Sequence, residues 1–168
     1  MKKLILTTII SCLSLFAFSQ SITLKLGHIN SQELISLLPE TKQADIDLQD
    51  YAKSLETQIS SMEEEYKRGI EEYQNNESSY DEITKQDKIA AIQAIEQRIA
   101  NFQQNAQISL QQKQQELLDP IIEKVRQAID QVAIDGNYTY ILDTSAGSLL
   151  YYKESEDILS KVKKELGI

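Results

Sequence analysis

The chain has 168 residues, of which 26 are acidic and 17 are Lys or Arg, and its formal net charge is −9. An acidic chain without a basic cluster is poorly suited to bind nucleic acid, because such binding depends on neutralising phosphates. Its one cysteine, Cys12, excludes an internal disulfide, a CxxC redox site and a zinc site built on cysteines.

The first 19 residues have the pattern of a secretory signal peptide. Lys2 and Lys3 precede an apolar run that ends at Phe18, and Ala17-Phe18-Ser19 is a small-x-small cleavage pattern. The run continues past Cys12, which disfavours a lipoprotein box, and it is too short to span a membrane comfortably. We expect cleavage after Ser19, an exported chain of charge −11 once the two leader lysines are lost, and no stable membrane insertion.

Residues 44–118 carry two apolar seams at alternating spacings of three and four. The outgoing seam is Leu48, Ala52, Leu55, Ile59, Met62, Tyr66, Gly69 and Tyr73, and the returning seam is Ile92, Ile95, Ile99, Phe102 and Ala106. Such spacing is typical of coiled coils. The polar stretch NNESSYDEITKQDK separates the seams. The pattern predicts an antiparallel helical hairpin, here called the arm, with its tip near residues 75–88.

The two seams also predict their own register, because facing residues of an antiparallel pair have a constant sum of residue numbers. That sum is 161 for Leu55 with Ala106, Ile59 with Phe102, Met62 with Ile99, and Gly69 with Ile92. Each helix of about 35 residues would reach about 50 Å. The alternative, a helix pair inside a globular bundle, is disfavoured because the faces outside the seam are polar.

The two ends of the chain predict a small body. Ser21 to Ile29 alternates like a strand, Asn30 and Glu33 form a capping box for a short helix, and Pro39 ends or bends that helix. Pro120 should kink the returning helix, which we expect to end at Gly136.

The C-terminal part predicts a β-hairpin and a final helix. Residues 137–142 and 149–152 are rich in β-formers, with turn residues between them, and a helix should begin at about Glu154. The body therefore comprises residues 20–43 and 119–168. It is too short for a large core in one copy, so several copies are expected to pool their ends. The candidate body residues are Ile22, Leu24, Leu26, Tyr138, Tyr140, Ile141, Leu142, Leu149 and Leu150.

Catalytic and metal-binding patterns are absent from the sequence. It contains no GxSxG, no glycine-rich phosphate loop and no HExxH. His28, the single histidine, has no cysteine or carboxylate at ligand spacing, and the carboxylate runs have the pattern of solvated helix faces. We therefore predict neither an enzyme nor a cofactor or metal site.

The segments KLGHINSQELISLLPE and GNYTYILDTSAGSLLYY, with the Gln- and Glu-rich hairpin between them, resemble the Skp/OmpH family of periplasmic chaperones. The most telling parts are the opening strand with its LLPE ending, and the later strand with Gly136, Tyr138, Leu142 and Asp143. The resemblance covers the whole chain after the leader. It implies a mainly α, jellyfish-like homotrimer with a small β-barrel head, and a periplasmic location.

The resemblance also implies a function. Family members hold unfolded outer-membrane proteins between their arms without ATP, and the outer-membrane insertion machinery would be a further partner. For this chain the candidate client contacts are Tyr51, Ile70 and Tyr80 on the arm. Gly69 is a candidate flex point or, equally, a close-packing position.

One departure from the family pattern affects the expected mode of binding. Type members are basic with positive arm tips, whereas this chain is acidic and its tip has no net positive charge. We therefore expect apolar rather than electrostatic capture. The competing interpretation is a structural coiled-coil adaptor of the envelope that binds one folded partner, although an adaptor would not need the split β-rich body.

Overall fold

The computed structural model describes residues 24–147 and 149–168. The leader and Ile22 lie outside the described residues. The elements, in chain order, are β1 (Leu26–Ile29), α1 (Ser31–Leu37), α2 (Pro39–Asn76), α3 (Glu82–Asp135), β2 (Tyr140–Asp143) and α4 (Leu159–Leu166), with short 3-10 turns at Glu77–Ser79 and Glu154–Glu156.

The long helices α2 and α3 pack as the predicted antiparallel hairpin. A Cβ built on Gly69 would lie 3.4 Å from Ile92 Cγ1, so the pairing predicted for these two residues is confirmed. Tyr51 and Ser109, whose hydroxyl oxygens are 2.6 Å apart, join the same helices nearer the body. The 38-residue α2 and the 54-residue α3 are separated only by residues 77–81.

The helix ends follow their predicted signals. Asn30 Oδ1 accepts a hydrogen bond from the Glu33 backbone N–H at 3.0 Å and caps α1. Leu38 is extended and Pro39 is the first residue of α2, so Pro39 separates the two helices. At the tip, Asp81 caps α3 by accepting from the Thr84 N–H at 2.7 Å.

Helix α3 continues through Pro120 and ends before Gly136, as predicted. A kink is expected at Pro120 because proline has no N–H to donate within the helix. The kink stays a prediction. Gly136 itself has a right-handed backbone, with φ of −85°. The left-handed position is Asn137, with φ of 52°, a conformation that asparagine tolerates better than most residues.

The two strands come from opposite ends of the chain and pair in parallel. Leu26 pairs with Tyr140 and Ile29 with Asp143. The other edge of β1 is partly occupied, because the Ile158 N–H donates to the His28 carbonyl at 3.0 Å. The described sheet therefore consists of β1 and β2, and one edge of β2 is open.

The predicted β-hairpin is wrong for the single chain, because Leu149 to Tyr152 do not form a second strand. Asp143 accepts hydrogen bonds from the backbone N–H groups of Ser31 at 3.2 Å and of Ser145 at 2.9 Å. These bonds direct the chain toward α1 instead of back along β2. The final helix also begins later than predicted, at Leu159.

The core lies where the base of the arm meets the strands and α4. Every buried residue of the described chain belongs to residues 27–44 or 121–162. The buried apolar side chains are Ile29, Leu34, Leu38, Ala44, Ile121, Val125, Ala128, Val132, Ile158 and Val162. Between Ala44 and Ile121 the arm has no buried residue, and only its base touches the core, through the half-buried Leu117 and Leu118.

The Tyr138 ring packs against two glycines from distant parts of the chain. A Cβ on Gly27 would lie 3.0 Å from Tyr138 Cε1, and one on Gly136 would lie 2.6 Å from Tyr138 Cδ2. The ammonium groups of Lys25 and Lys161 lie 4.3 and 5.2 Å from the ring centroid, and Lys161 Nζ donates to the Tyr138 hydroxyl at 2.7 Å. The ring thereby links β1, the end of α3 and α4.

We expect Gly136→Ala to lower the free energy of unfolding by about 1–3 kcal/mol, because the added methyl group overlaps the Tyr138 ring. Urea denaturation followed by circular dichroism measures this change. The matched control is Gly69→Ala. Its Cβ meets only Ile92 at ordinary contact distance, so it should stabilise helix α2 by about 0.5–1 kcal/mol. Equal effects of both substitutions would contradict the proposed packing of Tyr138.

Asp143 predicts a specific acid sensitivity of the body. Partial burial alone raises the pKa of Asp143, but the hydrogen bonds from Ser31 and Ser145 outweigh it and hold the pKa below the ordinary value of 3.8. A carboxyl group with a lowered pKa stabilises the fold above its unfolded pKa, and this contribution disappears as the pH falls through the folded pKa.

We therefore expect the urea midpoint of the wild-type chain to fall more steeply than that of Asp143→Asn as the pH drops from about 5 to about 3, because Asp143 becomes protonated as the pH falls through this range. Asp87→Asn, at an exposed position of α3, controls for the loss of one carboxylate and should keep the wild-type slope. An unchanged slope in Asp143→Asn would show that Asp143 does not couple β2 to α1.

Candidate functional site

One face of the two-stranded sheet is largely apolar and only partly covered. Because side chains alternate along a strand, Gly27 and Ile29 point to the core while Leu26 and its partner Tyr140 point outward. Leu24, Leu26, Tyr140 and Leu142 are 53%, 41%, 59% and 38% exposed. We call these four residues the outer sheet face.

The segment Leu149–Lys153 crosses beside this face. It covers His28, which is only 5% exposed and whose Nε2 donates to the Lys153 carbonyl at 2.9 Å. The His28 ring also packs against Tyr152, with ring centroids 4.3 Å apart. In contrast, Leu150 is 98% exposed and Tyr151 is 80% exposed. His28 is thus a packed residue of the sheet.

A cavity of about 190 Å³, here called the body pocket, opens between the outer sheet face and this segment. Its walls are mainly apolar, and Gly27 contributes no side chain to it. The lining residues are Leu26, Gly27, His28, Leu142, Leu149, Tyr151, Tyr152, Lys153 and Glu156. Leu150 lies next to two of them in sequence but does not line the pocket.

The candidate body residues divide into two groups. Tyr138 and Ile141 pack against the core of their own chain, and Leu149 is half-buried beside the body pocket. Leu24, Leu26, Tyr140, Leu142 and Leu150 are exposed. Tyr138 and Ile141 therefore support the fold of one chain, and the exposed group provides an apolar surface that one chain leaves in water.

Two of the three predicted client contacts make contacts inside the arm itself. The Tyr51 hydroxyl is hydrogen-bonded to Ser109, and the Tyr80 ring packs at the tip against Tyr73, with centroids 6.4 Å apart. Ile70 is half-buried. All three therefore offer less free apolar surface than their position off the seam suggested, and their role in client binding stays a prediction.

Several isoleucines that sequence analysis did not single out are more exposed than these three residues. On the arm they are Ile46, Ile83, Ile89 and Ile108, with 51%, 73%, 41% and 49% exposure. Each lies off the seam on an otherwise polar helix face. The sequence signal was available, because an apolar residue outside a heptad seam has no partner helix to cover it.

Two ion pairs connect α2 and α3 in the distal arm. Lys88 Nζ lies 2.6 Å from Glu72 Oε1, and Arg98 is paired with Glu65. The hydrogen bond from Lys88 lowers the pKa of Glu72, and the same bond raises the pKa of Lys88. Because these side chains are exposed, salt will screen both pairs.

Between these ion pairs the missing side chain of Gly69 leaves a groove. Its volume is about 370 Å³, and Ile92 and Ile95 form its apolar side. A Cβ on Gly69 would make only an ordinary contact with Ile92, so close packing does not require glycine here. The role of Gly69 as a flex point stays a prediction.

In residues 24–147 and 149–168, no group of three or more His, Cys, Asp or Glu side chains is arranged to hold a metal ion. Over the same ranges, no helix combines the length and the apolar character needed to cross a bilayer.

Comparisons with known proteins agree with this architecture. The protein family described as Outer membrane protein (OmpH-like) matches residues 25–166. The crystal structure of a candidate outer membrane chaperone (OmpH-like) from Caulobacter crescentus CB15 superposes with a TM-score of 0.75 at 14% sequence identity, covering 86% of each chain. A search of the curated proteins finds no match to this chain.

At 14% identity the Caulobacter structure shows a shared fold alone, whereas the family match extends over almost the whole described chain, including both ends of the body and the arm between them. The N-terminal strand, the helical hairpin and the C-terminal segment had already indicated a resemblance to this family. The chain belongs to the OmpH-like family.

Proposed function

We propose that this chain is an ATP-independent holdase of the periplasm, exported through its N-terminal leader. Three copies would join through their bodies, and their arms would enclose unfolded outer-membrane proteins and keep them from aggregating. The observation that carries this proposal is the arm itself. It has no buried residue after Ala44, and it bears isolated exposed isoleucines on polar helices.

The arm is long enough to form such an enclosure. At 1.5 Å per residue, the part of α2 that lies in the arm, residues 44–76, extends about 50 Å, and no arm residue after Ala44 is buried. Widely spaced apolar side chains provide many weak contacts rather than one pocket. A client can therefore be held without being forced into a single conformation.

The outer sheet face supports assembly through the body. Several apolar side chains of this part of the body are exposed, and Leu26, Leu142 and Tyr151 share the lining of the body pocket; exposed apolar patches of this kind mark interaction surfaces. The body core is small, and pooling it with that of other copies would remove this surface from water. In such a holdase, Gly69 would let the distal arm bend around clients of different size.

We expect the chain from Gln20 onward to keep a urea-unfolded outer-membrane barrel soluble after dilution. Light scattering on a sizing column should give the mass of three chains plus one client. If the client precipitates and this protein elutes alone as a trimer, the holdase function is wrong while the assembly stands. A lone monomer or dimer would instead favour the envelope adaptor.

The exposed isoleucines of the arm should carry much of the client affinity. A variant with serine at all four positions should bind the client at least about tenfold more weakly, because each lost contact removes partly buried apolar area at about 25 cal/mol per Å². The substituted residues are Ile46, Ile83, Ile89 and Ile108. The equilibrium constant is measured by fluorescence titration of a labelled client.

The matched control places serine at four exposed glutamines of the same helices, namely Gln49, Gln93, Gln104 and Gln111. This control should bind the client as the wild type does. Apolar capture also predicts that raising NaCl from about 0.05 to 0.5 M changes the affinity less than about threefold. A steep loss with salt, or equal binding by both variants, would contradict apolar capture.

A further inference from the structure

Leu150 is an apolar side chain that its own chain leaves almost wholly in water. It is 98% exposed, although its neighbours are held in place. Leu149 is half-buried, Tyr152 packs against His28, and the Lys153 carbonyl accepts the hydrogen bond from His28 Nε2. Because His28 holds the segment from one side, Leu150 projects from a positioned stretch of backbone.

The body pocket has the size and polarity to receive such a side chain. A cavity of about 150 Å³ can take up a benzene-sized apolar group. The body pocket, at about 190 Å³, therefore has room for the four side-chain carbons of a leucine. Leu26, Leu142 and Leu149 supply its apolar walls, so a leucine placed there would leave water for an apolar surface.

A second copy of the chain can supply the occupant, because Leu150 does not reach the pocket of its own chain. Leu149, Tyr151 and Tyr152 line the body pocket of their own chain, but Leu150 between them does not. The projecting residue and the cavity are thus different patches of one surface. A contact between different patches is head-to-tail, and it closes into a ring when the rotation between copies allows it.

The surrounding surface is large enough to support this contact. Tyr140, Tyr151 and Tyr152 are 59%, 80% and 49% exposed, and a fully buried aromatic side chain covers about 150–250 Å². With the exposed leucines around the pocket, the apolar area is on the order of several hundred Å². This approaches the roughly 800 Å² that each partner contributes to a standard interface.

We infer that Leu150 of each copy inserts into the body pocket of the next copy, so that three such contacts close the ring. This inference rests on the proposed homotrimer and names the contact that would hold it together. The sheet pairing places Leu142 in the pocket wall, beside His28, so the pocket forms only after both ends of the chain have folded.

Cross-linking tests the contact directly, because the chain from Gln20 onward contains no cysteine. The double variant Leu150→Cys/Leu142→Cys, treated with a short bis-maleimide, should give covalent dimers and trimers in denaturing electrophoresis. Either single variant should give only monomers, and an equimolar mixture of the two should give dimers. The control pair Leu150→Cys/Ile134→Cys uses an exposed site on α3 away from the pocket and should stay monomeric.

A second pair of variants measures the contribution of Leu150 to assembly. Leu150→Asp should raise the concentration for half-assembly at least about tenfold, and Leu150→Met should assemble like the wild type. Circular dichroism of Leu150→Asp should keep the wild-type helical signal, because this side chain makes no core contact in one chain.

The outcomes separate this contact from the assembly itself. If Leu150→Asp remains a trimer, or if the double variant yields no interchain product, the inference is overturned while the homotrimer stands. Dimers from Leu150→Cys alone would show a two-fold contact and would also overturn it. A wild-type chain that is monomeric at all concentrations would overturn both the contact and the proposed assembly.

Discussion

The parallel pairing of β1 with β2 is the constraint on which the rest of the structure depends. Parallel neighbours cannot be joined by a tight turn, so the chain has to travel away from the sheet and return before Tyr140 can pair with Leu26. Here the connection is the whole arm. The same pairing aligns Gly27 with the Tyr138 ring and leaves Leu26, Tyr140 and Leu142 on a face that is only partly covered. One set of backbone hydrogen bonds thus gives both the protruding arm and the surface available for assembly.

Burial is unevenly distributed along the structure. The body and the first residue of the arm, Ala44, hold every buried side chain of the described residues, while the rest of the arm relies on one seam and on exposed ion pairs such as Glu72 with Lys88. Segments with few buried contacts open at low free-energy cost. We therefore expect the arm to open at lower free-energy cost than the body, as the proposed holding of a client without a nucleotide-driven motor requires.

The arm was predictable from the sequence because its contacts are periodic and its two helices are adjacent in the chain. The seam gave the pairing of Gly69 with Ile92, and Asn30 and Pro39 gave the helix ends. The partner of β2 was not predictable, since strand patterning does not say which distant segment will pair. The hydrogen bond that Asp143 accepts from Ser145 belongs to a local turn, but the one from Ser31 comes from the other end of the chain, and no local pattern records it. Exposure of Ile46 and Ile108 could have been found by asking which apolar residues lie off the seam.

The position of Tyr138 also has a consequence for the order of folding. Its ring packs against Gly27 from the first strand and Gly136 from the end of α3. These parts of the chain are far apart in sequence: Lys25 and Thr139, which are hydrogen-bonded beside the ring, are 114 positions apart. Contacts between distant positions form slowly, whereas a helical hairpin is built from nearby ones. In a chain that emerges from its N-terminus, β1 has no partner until more than four-fifths of the residues have emerged. The arm is then already able to fold, and the last segment to emerge completes the sheet, the Tyr138 packing and the body together.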